Sequence, residues 1–398
     1  MEYNPFDPAV VRNPYPTYAV LRREAPVYRT ALDFAAVSRY ADVLHVLRSP
    51  ELFSSSAMRD LIDRVKETSP DADEIRGGET LLGTDPPAHT RLRKIVNRAF
   101  TPRRIAGLEG RIREIASQLV DEFADEGECE LMDDFAASLP VTIISEILGI
   151  DPAMRRDFKR WSDELIQAMD GAPSPELQLR LDRSFLERKA YVDEVVAERR
   201  RSPRDDVISA LVQAEQDENV MTEHEIGNFI VLLLIAGNET TTNLIGNAVL
   251  ALLDHPQDLA KVSGDLSLVP NVVEETLRYD SPVQLMLRRA TRETELSGVT
   301  ISEGETVAVL LGSANRDERQ FADADRFDLT RDKTPHLAFG FGTHFCLGAG
   351  LARLEARMAL ETLLGRLRLQ ELTDRSIERA PSLIVRGPRR LDLRFSPR

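Results

Sequence analysis

Phe339-Gly340-Phe341-Gly342-Thr343-His344-Phe345-Cys346-Leu347-Gly348 places a cysteine on a glycine-rich loop just ahead of Gly350 to Leu367, which reads as helix. Amides at a helix N-terminus favour a thiolate and lower the pKa of a thiol. The glycines let the backbone approach a large flat ligand and aim N–H groups at sulfur. A buried structural thiol would use the same residue type, and the motif alone leaves both readings open. Zinc fits poorly: the other cysteine, Cys129, is far away in sequence, and His336, His344 and Cys346 lack the paired spacing of a closed site.

Upstream, Thr222-Glu223-His224-Glu225 has the form of a capping box. It opens a helix expected to run to about Asp254, ahead of His255-Pro256. Its middle reads Ala236-Gly237-Asn238-Glu239-Thr240-Thr241, a polar interruption of an apolar run made of poor helix formers. A carboxylate at mid-bilayer is costly, so the segment is read as a buried helix of a large protein rather than a membrane span. An acid beside a hydroxyl in such a helix suits a proton relay; polar packing between helices is the alternative.

Two further stretches carry paired side chains. Glu275-Thr276-Leu277-Arg278 puts an acid and a guanidinium on one helical face. Most such pairs are surface decoration. In Asp85-Pro86-Pro87-Ala88-His89-Thr90-Arg91-Leu92-Arg93, His89 and Arg93 lie four apart and suit a ligand carboxylate, with a solvated basic face as the plainer reading.

The remaining chain supplies a mainly α frame with minor β. Helices are expected at Asp42 to Leu47, around Met58 to Val65, along His89 to Arg201 with Ser184 to Arg201 as a separate amphipathic helix, and from Pro270 to Arg278. Ser56 to Gly83 reads as a long loop carrying that one helical piece. Strand-like segments are Val27 to Val37, Val283 to Leu287, Thr291 to Leu296, Val299 to Ile301 and Thr306 to Leu311. Ser382 to Phe395 reads as a hairpin turning near Gly387-Pro388, and Ala314 to Phe341 as coil. No repeat or linker marks a boundary, so residues 1–398 are expected to form one domain, its β-rich portions near 27–40, 283–311 and 382–395.

Composition excludes several classes. In 398 residues, 42% apolar and 29% charged is a globular balance. Fifty-one basic against 66 acidic residues give −15, which disfavours nucleic-acid binding over the whole surface. Two distant cysteines make no disulfide framework and point to a reducing compartment, here the cytoplasm. The N-terminus lacks the basic and apolar regions of a signal peptide. One stretch departs from the acidic average: His89 to Arg113 holds eight basic residues against one acid, Glu109.

In order, spacing and wording, these four motifs resemble the cytochrome P-450 family, and in particular its soluble bacterial branch. The likeness runs from Asn13-Pro14-Tyr15-Pro16 to the end of the chain. It implies a triangular prism with haem between a long central helix and the cysteine loop. It implies a monooxygenase that inserts one oxygen atom from O2 into an apolar small molecule, by hydroxylation or epoxidation. Terpenoid, steroid, fatty-acid and macrolide-like bodies all suit it. Electrons are expected from NAD(P)H through a reductase and a ferredoxin. A peroxide-driven oxygenase and a haem sensor are the alternatives, neither of which needs an acid–threonine pair.

By the same resemblance Cys346 is the axial thiolate of haem b, Phe339 shields its sulfur, and Gly342 and Gly348 shape its loop. Glu239 and Thr240 deliver protons to dioxygen, while Ala236 and Gly237 lie over the haem. His89, Arg93, Arg288 and His344 hold the propionates. Glu275, Arg278 and Arg326 form a structural triad, although Ala324 stands where relatives carry proline. Leu82, Ile166, Met169, Leu233, Val283, Leu285, Met286 and Ile384 fall at positions that line the substrate pocket. Lys94, Arg98, Arg103 and Arg104 offer a ferredoxin docking patch on a protein expected to be monomeric and free of the membrane.

Overall fold

Asp33, in the left-handed region at φ 57°, turns Val27–Arg29 back on Phe34–Val37 as an antiparallel pair. This pair begins the main sheet of the computed structural model, which describes residues 3–67, 79–169, 173–214, 221–331, 335–379 and 382–398. Phe34–Val37 then runs parallel to Thr306–Leu310, which lies antiparallel to Leu285–Ala290. Phe53–Ser54 completes the sheet on the far edge. Four consecutive residues of Thr306–Leu310, from Val307 on, are buried, the pattern of a strand covered on both faces.

Two compact units make up the chain. Residues 1–53, 105–140 and 240–398 form the first, and residues 54–104 and 141–239 the second. The first holds the sheets, and one of its clusters packs Val37, Val43, Val46, Val307, Val309, Phe321 and Leu337. A second sheet there orders Glu128–Glu130, Asp392–Pro397 and Leu367–Leu372. Asp392–Pro397 therefore pairs with strands distant in sequence. The expected hairpin within Ser382 to Phe395 is not formed: Val385 bridges Val283, and Pro388 bridges Arg379. Periodicity also missed the short strand around Cys129 and the π-helical turn Met132–Ala137 inside a run read as helix.

The second unit is helical. Phe158 packs edge-on against Trp161 at 4.9 Å and Tyr191 at 5.4 Å, joining Arg155–Met169 to Pro175–Arg201. The latter helix starts nine residues before the expected Ser184, because Ser174 caps it by accepting from the Leu177 amide. Residues 68–78, the middle of the expected long loop, lie outside the described residues; the helical piece within it spans Ser56–Glu67.

The long helix is Glu223–Asp254, 32 residues or roughly 48 Å at 1.5 Å each. Its start is the capping box read from sequence: Thr222 N–H donates to Glu225 Oε2 (2.8 Å), and Glu225 N–H to Thr222 Oγ1 (3.2 Å). By length and composition it could cross a membrane, yet 61% of its most apolar window is buried within the protein.

Candidate functional site

The cysteine loop is built by short-range bonds. The Cys346 amide donates to the Phe339 carbonyl (2.9 Å), and the Phe345 amide to that of Gly342 (3.0 Å). Gly342 sits at φ 71°, and a Cβ there would come 2.9 Å from the Leu47 carbonyl oxygen, so only glycine fits. The base of the loop is tied down where Asn315 Oδ1 accepts from the Leu337 amide (2.6 Å) and Tyr40 Oη donates to the Pro335 carbonyl (2.7 Å). The Arg48 guanidinium covers the Phe341 ring at 4.5 Å. At Gly348, the N-cap of Ala349–Arg366, an added Cβ would meet nothing within 4 Å.

In the same unit, Arg288 is buried on Leu285–Ala290 and donates to the Leu287 carbonyl (2.8 Å). His344 lies in the loop's one 3-10 turn. Thr240 begins this unit's share of the long helix. The next residue, Thr241, hydrogen-bonds a fully buried acid that sequence reading missed, Glu355, whose carboxyl burial holds well above the ordinary range.

Glu275 and Arg278 meet as expected, but Arg326 does not join them through its side chain. Arg278 donates to both Glu275 oxygens (2.9 and 2.7 Å) and to the carbonyls of Asn315, Ala324 and Arg326. The Arg326 side chain is exposed. Its contribution is the main-chain oxygen, and Arg331 supplies the second guanidinium, 3.4 Å from Glu275 Oε1. The chain turns outward at Arg326 and returns five residues later, which spacing alone does not reveal. Ala324, in place of proline, is buried, and its carbonyl is held at 2.7 Å by Arg278.

In the second unit, His89 and Arg93 share the helix Ala88–Val96. His89 is buried; desolvation and the Arg93 charge lower its pKa to about 4, so the ring is neutral at pH 7. Arg93 Nε donates to Asn97 Oδ1 (3.1 Å). Gly237 packs on Ile144 at ordinary contact. Along the long helix, Asn238 and the Thr241–Leu250 stretch are buried, whereas Ala236 is exposed and Leu232, Ile235, Glu239 and Thr240 are half-buried. These five positions step by three and one, so they form one accessible helical face.

The pocket positions divide. Leu285 packs into a core cluster with Tyr3, Tyr15, Tyr18, Leu21, Ala36 and Leu310, and Leu233 is also buried, so both are core residues here. Met286, on the opposite face of that strand, packs with Val283 against the first cluster. Leu82, Ile166 and Ile384 are half-buried. Met169 ends its helix, and its side chain lies outside what is described.

The donor set fits haem. No cluster of three or more His, Cys, Asp or Glu residues among those described could hold a bare metal ion. A single loop thiol instead suits a metal that brings its own equatorial ligands. The open space at Gly348, two residues beyond the thiol, leaves room for a flat macrocycle beside the loop. Fold and donor set together point to a haem-thiolate protein. A family model described as Cytochrome P-450 matches residues 35–395, and the chain belongs to that family.

The relatives agree. The chain is 42% identical to Cytochrome P-450 107B1 of Saccharopolyspora erythraea, over 98% of this chain and 96% of that one. Cytochrome P-450 CYP109Q5 from Chondromyces apiculatus superimposes with a TM-score of 0.87 at 43% identity, covering 100% and 99% of the two chains. CYP109E1 from Bacillus megaterium, solved in complex with testosterone, gives 0.86 at 33% identity, covering 96% and 97%. The protein is thus a monooxygenase that carries haem b and uses dioxygen and reducing equivalents.

Proposed function

We propose that this enzyme hydroxylates an apolar molecule of steroid or terpenoid size in the cytoplasm, taking electrons from NAD(P)H through a ferredoxin reductase and a ferredoxin. The observation that carries the reading is the accessible face of the long helix. It sets Leu232, Ile235 and Ala236 beside Glu239 and Thr240, an apolar surface next to an acid–alcohol pair. Met286, Val283, Leu82, Ile166 and Ile384 are the remaining candidates for contact with the substrate.

Haem supplies the activation of dioxygen and the oxidation of the substrate. Cys346 would be its axial thiolate. The buried Arg288 and the neutral His89, with Arg93 and His344, would hold its carboxylates by charge and by N–H donation. Thr240 would present a hydroxyl proton toward dioxygen, and Glu239 would replace that proton from the solvent side. A peroxide-driven reaction needs neither group, so their pairing supports the electron-driven route.

A docking patch for an acidic ferredoxin is supported by the state of the basic segment. Arg91 pairs with Glu225, Arg111 with Glu114, and Arg113 with Glu109 and Glu361. Arg104 lies 3.6 Å from Asp205. Lys94, Arg98 and Arg103 are exposed and make no ion pair among the described residues.

The substrate reading is tested by titrating the ferric enzyme with testosterone, a monocyclic terpene, palmitate and a macrolide aglycone, following the Soret band. Saturable shifts with the steroid or the terpene, followed by a hydroxylated product in the reconstituted system, are expected. A shift confined to the fatty acid or the macrolide overturns the assignment.

A further inference from the structure

Glu274 precedes the triad acid Glu275 on the helix Val269–Tyr279, but its carboxylate meets a different set of partners. Arg353, on Ala349–Arg366, grips it with a fork: Nε to Oε1 at 2.5 Å and Nη2 to Oε2 at 3.1 Å. His336 Nε2 lies 3.1 Å from Oε2. The Ala338 amide donates to His336 Nδ1 (3.2 Å), which assigns the ring proton to Nε2 and makes His336 a donor to Glu274. Burial alone would raise the Glu274 carboxyl, yet bonds from His336 and Arg353 bring it down to about 2, so it is ionised in use.

The fork also meets an aromatic ring. The Arg353 guanidinium stands 4.5 Å from the Phe339 ring centre. The His336 ring is tilted against the same ring at 6.0 Å, and Phe345 meets it edge-on at 6.4 Å. The Phe339 carbonyl accepts the Cys346 amide. A half-exposed ion pair contributes little to stability by itself. This one places a cation, an anion and a histidine around the residue bonded to the thiolate loop.

We infer that Glu274, His336 and Arg353 are positioning residues that clamp Phe339 and set the electrostatic potential at Cys346, and with it the reduction potential of the bound haem. The inference rests on Cys346 being the axial ligand. Opposite charges held in one ion pair largely offset each other, so removing either one exposes the other. An uncompensated Arg353 stabilises the reduced, more negative centre, and an uncompensated Glu274 destabilises it. A merely structural clamp has no such sign: loosening it from either side would move the potential one way.

The test is spectroelectrochemical titration of the holoenzyme and its variants against a reference dye. E274Q is expected to shift the ferric–ferrous equilibrium several-fold toward ferrous, and R353Q several-fold toward ferric; tenfold corresponds to 59 mV for one electron. The E274Q/R353Q pair, neutral overall, should return toward the parent value even if it retains less haem. R353K, which keeps the charge without the fork, should stay closer to parent than R353Q. Shifts of the same sign in the two single variants, or none in either, overturn the inference. The carbonyl spectrum separates the premise from the clamp. A thiolate-type band that survives C346S means the ligand is misassigned. Its loss in C346S, with potentials unmoved at 274 and 353, means the clamp alone is wrong.

Discussion

Arg278 and Glu275 form a two-point ion pair with side chains only 2% and 5% exposed, and every nitrogen of that guanidinium reaches a protein oxygen. Breaking a buried pair from one side leaves an uncompensated charge, which costs about 3–5 kcal/mol. Arg278→Ala is therefore expected to lose most haem-containing protein and to unfold at markedly lower urea. Arg331→Ala should cost less, since it shares one contact with Glu275, and Arg326→Ala should fall within about 0.5 kcal/mol of the parent, as for exposed side chains. Equal losses at positions 326 and 278 would restore Arg326 to the triad.

Cys346→Ser is expected to abolish the red-shifted Soret band of the ferrous carbonyl complex, and Cys129→Ser to preserve it. Burial and the surrounding acids Asp134, Glu130 and Asp392 push the Cys129 thiol up to about 12, so it stays protonated and unreactive. Thiol-labelling of the native protein should spare Cys129 accordingly.

Thr240→Ala should still bind haem and substrate but divert reducing equivalents to peroxide, lowering product by about 10²- to 10⁴-fold. Product and peroxide per NADH are the quantities to measure. Glu239→Gln should slow turnover and enlarge the solvent isotope effect, because it removes the group that resupplies the proton. An unchanged ratio of product to NADH in Thr240→Ala would take that hydroxyl out of proton delivery.

Asp280 contributes strongly to the acid response. Burial would raise its carboxyl, but Arg386 and Arg379, with the Tyr15 hydroxyl, hold it far below the ordinary carboxylate range. A depressed folded pKa means stabilisation that is complete above the unfolded value near 3.9 and lost as pH falls below it. The parent should thus lose stability steeply below about pH 4. Asp280→Asn should be less stable at pH 7 and show a flatter decline between pH 4 and 2. Urea midpoints across that range check both halves of the statement.

Reversing Lys94, Arg98 and Arg103 to glutamate should slow first-electron transfer from an acidic ferredoxin without altering substrate titrations. The difference should shrink as salt shortens the Debye length below about 10 Å. Adding Arg104→Glu should contribute less, because Asp205 already faces it. Stopped-flow reduction over a salt series measures this, and a rate indifferent to both salt and charge reversal places the docking site elsewhere.

Local physics makes much of this protein readable from its sequence. The long helix announces its start because a capping box is closed by residues three apart, and the thiol loop announces itself because glycine tolerance and a helix N-terminus are properties of adjacent residues. Glu275 and Arg278 lie one helical turn apart, so their pairing is also a local matter. What tertiary structure decided are the partners brought in from afar. The strand Asp392–Pro397 found Leu367–Leu372 and Glu128–Glu130 rather than its neighbours. Glu275 drew Arg331, and Glu274 drew Arg353 from 79 positions away. Leu285 and Met286, equivalent as apolar residues, were sent to opposite faces by the pleat of their strand. Hydrogen bonds between near neighbours depend on residue type and spacing alone. Pairings across tens of residues depend on where the folded chain returns, a result of packing the whole core that short segments do not encode.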